Sequence, residues 1–175
     1  MSRTNPFKIK RRHASKTLLI FGEGLGEEMF LKYLKSIYAC DCNVAITIRK
    51  GKGGDAKSIV VDASKIPGAF DRKIVVLDND KSAEEMKKAR QEAKNRGIEM
   101  IENTPCLEFL LLNILGANTQ SNSAFCKSEF ESKYIAKQRR GDVNRYKELF
   151  PKEKLEKKRG TINVLGRLVT IMEGK

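Results

Sequence analysis

Several features are scarce in this 175-residue chain, and each scarcity excludes something. No run comes near the roughly 18–20 continuous apolar residues of a membrane-spanning helix, so no membrane partner is expected. The basic N-terminus has no apolar run before Thr17 and does not read as a secretory signal. There is one histidine, and the four cysteines (Cys40, Cys42, Cys106 and Cys126) show no Cys-x-x-Cys spacing. A structural zinc site is therefore not expected, and the cysteines read as reduced thiols of a cytoplasmic protein. No internal repeat or low-complexity tract is present. The glycine-rich stretch Lys50–Gly54 lacks the full Walker pattern for a nucleotide-phosphate loop.

What is there begins with charge. The net charge is +13, and it is unevenly placed. Residues 1–16 carry +6 with no acid, residues 17–126 are neutral, and residues 127–175 carry +7. A neutral body with two basic ends is the distribution expected of a chain that contacts nucleic-acid phosphates. With 40% hydrophobic residues, the chain can bury the core of one domain, alone or with an appendage.

The apolar patterning then spells out alternating elements. Thr17–Phe21 reads as a buried strand, followed by a glycine turn and a helix from Glu27 to Tyr38. Asn43–Ile48 is a second strand, and the basic loop Lys50–Gly54 leads into a helix over Asp55–Lys65. Lys73–Leu77 is a third, doubly buried strand, followed by a charged helix over Ser82–Arg96 that Gly97 ends. Ile98–Ile101 is a fourth strand. Thr104 and Pro105 are expected to start an apolar helix over Cys106–Leu115, with Thr104 as its cap. After a polar loop, helices are expected at Ala124–Gln138, Asp142–Leu149 and Lys152–Met172. The β-α repetition predicts an α/β fold with a mainly parallel four-stranded sheet and helices on both faces. The expected parts are a basic N-terminal arm over 1–16, an α/β domain over 17–115 and a basic helical C-terminal extension over 116–175.

Four acids stand where local structure needs them little. In an open parallel sheet, ligands sit beyond the carboxyl ends of the strands. Asp78 and Asp80 follow the third strand at i and i+2, so both can serve one cation. The same pair also suits a plain strand-to-helix turn with Asp80 as a cap. Glu23, between Gly22 and Gly24 after the first strand, is either a solvated turn residue or an oxygen ligand. Glu108 is the one charge in an otherwise apolar helix, and its burial is costly without a metal or a hydrogen-bonding partner. Of Glu27 and Glu28, which open the first helix, one is expected to cap it and the other to reach the acid cluster. Lys52 and Lys81 are the candidates to neutralise phosphate charge.

Three segments together resemble a known family. They are Ile20-Phe21-Gly22-Glu23-Gly24-x-x-Glu27-Glu28, Val75-Val76-Leu77-Asp78-Asn79-Asp80, and Asn103-Thr104-Pro105-Cys106-Leu107-Glu108 with the apolar run to Leu112. They resemble the Toprim domain of topoisomerases, primases and nucleases. The closer resemblance is to the RloB-like proteins, which are Toprim-related and associated with bacterial restriction and antiviral defence. The resemblance implies a Toprim-like Rossmannoid three-layer sandwich and a metal-dependent nuclease acting on DNA or RNA. Glu23, Asp78 and Asp80 take the family's acidic positions, Glu108 takes the acid of its Pro-Cys-x-Glu segment, and Glu28 takes the second acid of the first motif. These residues would hold Mg²⁺ or Mn²⁺. The chain departs from the pattern at Glu27, commonly Thr, and at Asn113, commonly His. The alternative is a non-catalytic nucleic-acid-binding subunit of a defence complex, partnered by an ATPase or another subunit.

Overall fold

The computed structural model describes residues 14–40, 42–117, 119–120 and 122–175. Most of the expected basic arm, with Lys8, Lys10, Arg11 and Arg12, lies outside the described residues. Four strands, β1 (Lys16–Gly22), β2 (Val44–Lys50), β3 (Arg72–Asp78) and β4 (Ile98–Asn103), form an all-parallel sheet in the order β2-β1-β3-β4. Helix α1 (Leu25–Tyr38) carries the chain from β1 outward to β2. Helix α2 (Ala56–Lys65) returns it past β1 to β3, and α3 (Ala83–Asn95) carries it on to β4. Because right-handed crossovers in opposite directions lie on opposite faces, α1 covers one face while α2 and α3 cover the other. The direction reverses between β1 and β3, which pair directly with Gly22 opposite Val76. Ligand crevices form at such a reversal, and Glu23 and Asp78 both end there.

The strand pleat divides the core accordingly. Leu18, Ile20, Ile46, Ile48, Ile74, Val76 and Ile101 join α1 and the C-terminal helices in the larger cluster. Phe21, Val75, Leu77 and Ile98 join Ile59, Val60, Met86, Ala89 and Ala93 of α2 and α3 in the smaller one. The fold is a Rossmann-like α/β sandwich, completed by α4 (Leu107–Leu115), α5 (Ser123–Lys133), α6 (Val143–Leu149), α7 (Lys152–Arg159) and α8 (Asn163–Met172). These C-terminal helices share the core of the sheet: α6 and α8 pack on α1, and α5 packs on α4. Phe30 of α1 meets Phe150 edge-on at a 5.8 Å centroid distance, and the Tyr33 hydroxyl donates to the Phe150 carbonyl.

Three expected boundaries moved. The helix expected over Lys152–Met172 is broken at Gly160–Ile162 into α7 and α8. Helix α7 buries only Leu155, whereas α8 buries Leu165, Leu168, Val169, Ile171 and Met172. The break lets the apolar helix turn back onto the sheet while the charged one stays outside. The helix expected to run to Gln138 ends at Lys133, and a short 3-10 turn covers Lys137–Arg139. The third change concerns α4. Thr104 does not cap it; the N-cap position is Cys106, whose side chain makes no capping bond.

Candidate functional site

The missing cap of α4 comes from the sheet. Asp78 Oδ1 accepts the buried N–H of Leu107 at 2.8 Å, so a carboxylate at the end of β3 fills the role that Thr104 was expected to play. Thr104 accepts instead from Asn79 Nδ2 at 3.2 Å, and the Asn103 carbonyl accepts the Asn79 N–H at 2.8 Å. Glu108 thereby occupies the second helical position, where the helix dipole favours an acid, and it faces Asp78 across the crevice. Asp78, Cys106 and Glu108 each offer a ligand atom, all within 4.8 Å of one another and all buried. That is close enough to share one metal ion. Among the described residues Glu108 Oε2 is buried without a hydrogen-bond partner, as are both amide atoms of Asn103, the register partner of Asp78.

The glutamates after β1 close the other side. The Glu23 N–H donates to the Val76 carbonyl at 3.1 Å, and Glu23 Oε2 accepts the Asp78 N–H at 3.2 Å. The two strand ends are thus stitched together through the acid itself. Glu27 is buried and accepts the Gly24 N–H at 3.0 Å, one half of a capping box. The other half is lacking because the N-cap glycine has no side chain. Glu27 therefore both caps α1 and lines the crevice, while Glu28 pairs with Lys32 at 2.9 Å and does not line it. A Cβ at Gly22 would sit 2.7 Å from Glu27 Cβ, so glycine is what lets the helix start this close to the strand.

Together Glu23, Glu27, Asp78 and Glu108 line a cleft of about 310 Å³, with Lys50, Lys52, Lys127 and Arg140 around them. Asp80 faces an adjoining cleft with Asn79, Lys81 and Asn122. Lys127 lines both clefts, and its Nζ lies 3.5 Å from Asp78 Oδ2 and 2.8 Å from Asp80 Oδ2. The cation that the two aspartates share in this structure is therefore an ammonium. Lys81 lies 3.7 Å from Glu23 and 3.9 Å from Asp80. Arg140 bridges Glu131 and Glu108, the latter at 3.4 Å.

Burial first, then the neighbouring carboxylates, pushes Glu27 up to about 7 and Asp78 up to about 8. Burial also pushes the Cys106 thiol up to about 12. Burial works against the Lys127 ammonium, yet its hydrogen bond to Asp80 and the charge of Asp78 outweigh that and raise it.

The structure brings together Glu23, Asp78, Glu108 and Lys52 from the residues singled out in the sequence. It sets Asp80 and Lys81 beside them in the next cleft and leaves Glu28 outside. Sequence reasoning missed Cys106, Lys127 and Arg140. Cys106 is signalled only by standing two residues before the stranded Glu108. Lys127 and Arg140 are two cations among the 14 in the basic C-terminal segment. The loop Lys50–Gly54 borders the cleft, but the helix behind it is not open to phosphate. Asp55 caps the Ser58 N–H at 3.0 Å and Glu85 takes the Ala56 N–H at 3.1 Å.

No curated protein and no solved structure matches the chain. A family model does, and its match spans β1 to the start of α8, including every residue of the carboxylate cleft. That model is the RloB-like protein family, matched over residues 18–164, and the chain belongs to this family.

Proposed function

We propose that the carboxylate cleft binds a divalent cation, Mg²⁺ or Mn²⁺, and hydrolyses nucleic-acid phosphodiesters. What carries this reading is the convergence of buried acids from three separate segments on one cleft, with Glu108 Oε2 left unpartnered. A buried carboxylate oxygen without a donor is costly, and a cation is the partner that its neighbours Asp78 and Glu27 would share. The donor set suits a hard ion, since carboxylate oxygens predominate and the thiol of Cys106 is kept neutral by burial. Asp78 and Glu108 would hold the ion, with Glu23 and Glu27 beside them and Asp80 on the flank toward Lys127.

Such an ion supplies Lewis-acid polarisation of the phosphoryl group and activation of the attacking water. The chain's own residues do the rest. Lys50 and Lys52 border the cleft on the loop side and would hold the phosphate entering from there. Lys127 stays protonated between the two aspartates and donates to a non-bridging oxygen. Arg140, oriented by Glu131, offers its guanidinium group to the same cleft. We extend the proposal to a bacterial defence or restriction setting with DNA or RNA as substrate and an ATPase or other subunit as partner.

A non-catalytic nucleic-acid-binding role has one observation in its favour: Lys127, Lys81 and Arg140 already neutralise the acids. One experiment separates the two. The purified chain, incubated with Mn²⁺ and either plasmid or total tRNA, is expected to cleave one of them. Asp78→Ala should abolish cleavage while keeping salt-sensitive binding. Cleavage undiminished in Asp78→Ala overturns the site, and binding without cleavage by the unmodified chain favours the non-catalytic role.

A further inference from the structure

A cavity of about 610 Å³ lies at the opposite, amino-terminal end of the strands. Arg72 opens β3 there, whereas Asp78 closes it, so the two sites are separated by about 20 Å along one strand. Four cations line the cavity, Arg72, Arg159, Arg167 and Lys175, together with the polar side chains of Thr161 and Asn163. Among the described residues, no acid and no aromatic ring lines it. This is the reverse of the carboxylate cleft, where acids and bases alternate.

The arginines are held in place from behind. Arg72 makes a two-pronged pair with Glu99 at 2.8 and 3.1 Å, and Arg159 makes another with Glu173 at 2.8 and 3.1 Å. Arg167 is tied to the Met100 carbonyl at 3.2 Å and lies 3.8 Å from Glu99. Glu156 adds a third carboxylate, 3.3 Å from Arg159, so three acids orient three guanidinium groups and the Lys175 ammonium, which lies 3.0 Å from Glu173. One positive charge is left over, and the cations line the cavity while the three acids do not. Guanidinium groups fixed in this way have already lost the side-chain freedom that anion binding would otherwise cost, and their geometry matches phosphate oxygens.

We propose that this cavity is a second phosphate-binding site, and that it takes the backbone of a nucleic acid. The lack of any aromatic ring among the lining residues leaves nothing to stack on a base, which disfavours a free nucleotide. The site would anchor a strand about 20 Å from the carboxylate cleft without taking part in chemistry.

The test is binding of a fluorescently labelled oligonucleotide by anisotropy across a salt series, without divalent ions, so that the outcome does not depend on cleavage. Asn163→Asp places a negative charge in the cavity at the first position of α8, where an acid suits the helix end and leaves every ion pair intact. Arg167→Gln removes the guanidinium not held in a two-pronged pair. Each is expected to weaken binding by roughly three- to tenfold, and Arg167→Gln to lower the slope of log K against log salt by about 0.7 for a single strand. An unchanged melting temperature for Asn163→Asp shows that the loss is not unfolding. Wild-type affinity and slope in both variants overturn the site. So does the result that tripolyphosphate or ATP stabilises the wild type but not Asn163→Asp while oligonucleotide binding is equal in both, which assigns the cavity to a free anion.

Discussion

In the absence of divalent metal, the melting temperature should fall as the pH rises from about 5 to about 7. Burial first, and then the charge of neighbouring carboxylates, raises Glu27 to about 7 and Asp78 to about 8, while both titrate near pH 4 in the unfolded chain. Between those limits the folded protein holds protons that the unfolded chain releases. The stability this contributes is whole below about pH 4 and is lost as the pH climbs through 7 to 8. Glu27 raises Asp78, so the two are counted as holding a single shared proton, which gives ~1.4 kcal/mol per pH unit. For a protein of this size each kcal/mol moves the melting temperature by roughly 2–4 °C, so the expected fall is about 3–6 °C per pH unit. Asp55, Asp71, Glu92, Glu99 and Glu173 are shifted down by their hydrogen bonds and ion pairs and act in the opposite sense. Their contribution is fully present above about pH 5 and is lost only below it, which leaves the chosen window to the cleft. The assay is thermal denaturation in EDTA at constant ionic strength, repeated with saturating Mn²⁺. Metal binds the deprotonated carboxylates, so it should stabilise increasingly toward about pH 7 and cancel or reverse the fall. Asp78→Asn keeps an acceptor for the Leu107 N–H but has no proton to lose, so its metal-free profile should be shallower. A flat or rising metal-free profile in the wild type, or an identical slope in Asp78→Asn, refutes the reasoning.

Three other outcomes follow from the same geometry. Lys127→Met removes the ammonium between Asp78 and Asp80, so Mn²⁺ should bind roughly tenfold tighter by calorimetry while nucleic-acid cleavage drops; unchanged metal affinity would mean that Lys127 does not compete for the site. Glu27→Gln should weaken metal binding and Glu28→Gln should not, since only Glu27 lines the cleft; the reverse result would restore the pattern expected from the family resemblance. Gly22→Ala drives a methyl group to 2.7 Å from Glu27 Cβ and should cost about 1–3 kcal/mol in urea denaturation, with a cost below about 0.5 kcal/mol showing that α1 can shift.

How much of this was legible in the sequence differs from element to element. Strand β3 was plain, because four apolar residues in a row with acids behind them leave few alternatives. Helix α3 was plain as well: its charged sequence offers only Ala83, Met86, Ala89 and Ala93 as an apolar face, and all but the exposed Ala83 are buried. The break between α7 and α8 was not, because both halves favour a helix locally and only the position of the sheet decides which half must turn inward. The start of α4 was misplaced for a related reason. Thr104 and Pro105 are strong local signals, but Asp78, distant in sequence, provides the cap.

The sequence by itself determined the α/β class, the alternation of elements and the three segments that end in acids. Periodicity and the cost of stranded charges are local properties. Only the tertiary structure decided which acids meet. Glu27 rather than Glu28 turns inward because of the angle at which α1 leaves Gly22, and Asp80 falls to the far side of Lys127 because β3 stops at Asp78. The counter-charge Lys127 comes from α5 and Arg140 from the turn after the 3-10 segment, and the packing of α5 on α4 and of α6 on α1 brings them over the carboxyl ends of the strands. Their place beside the acids depends on contacts between residues far apart in the chain, which no local pattern encodes.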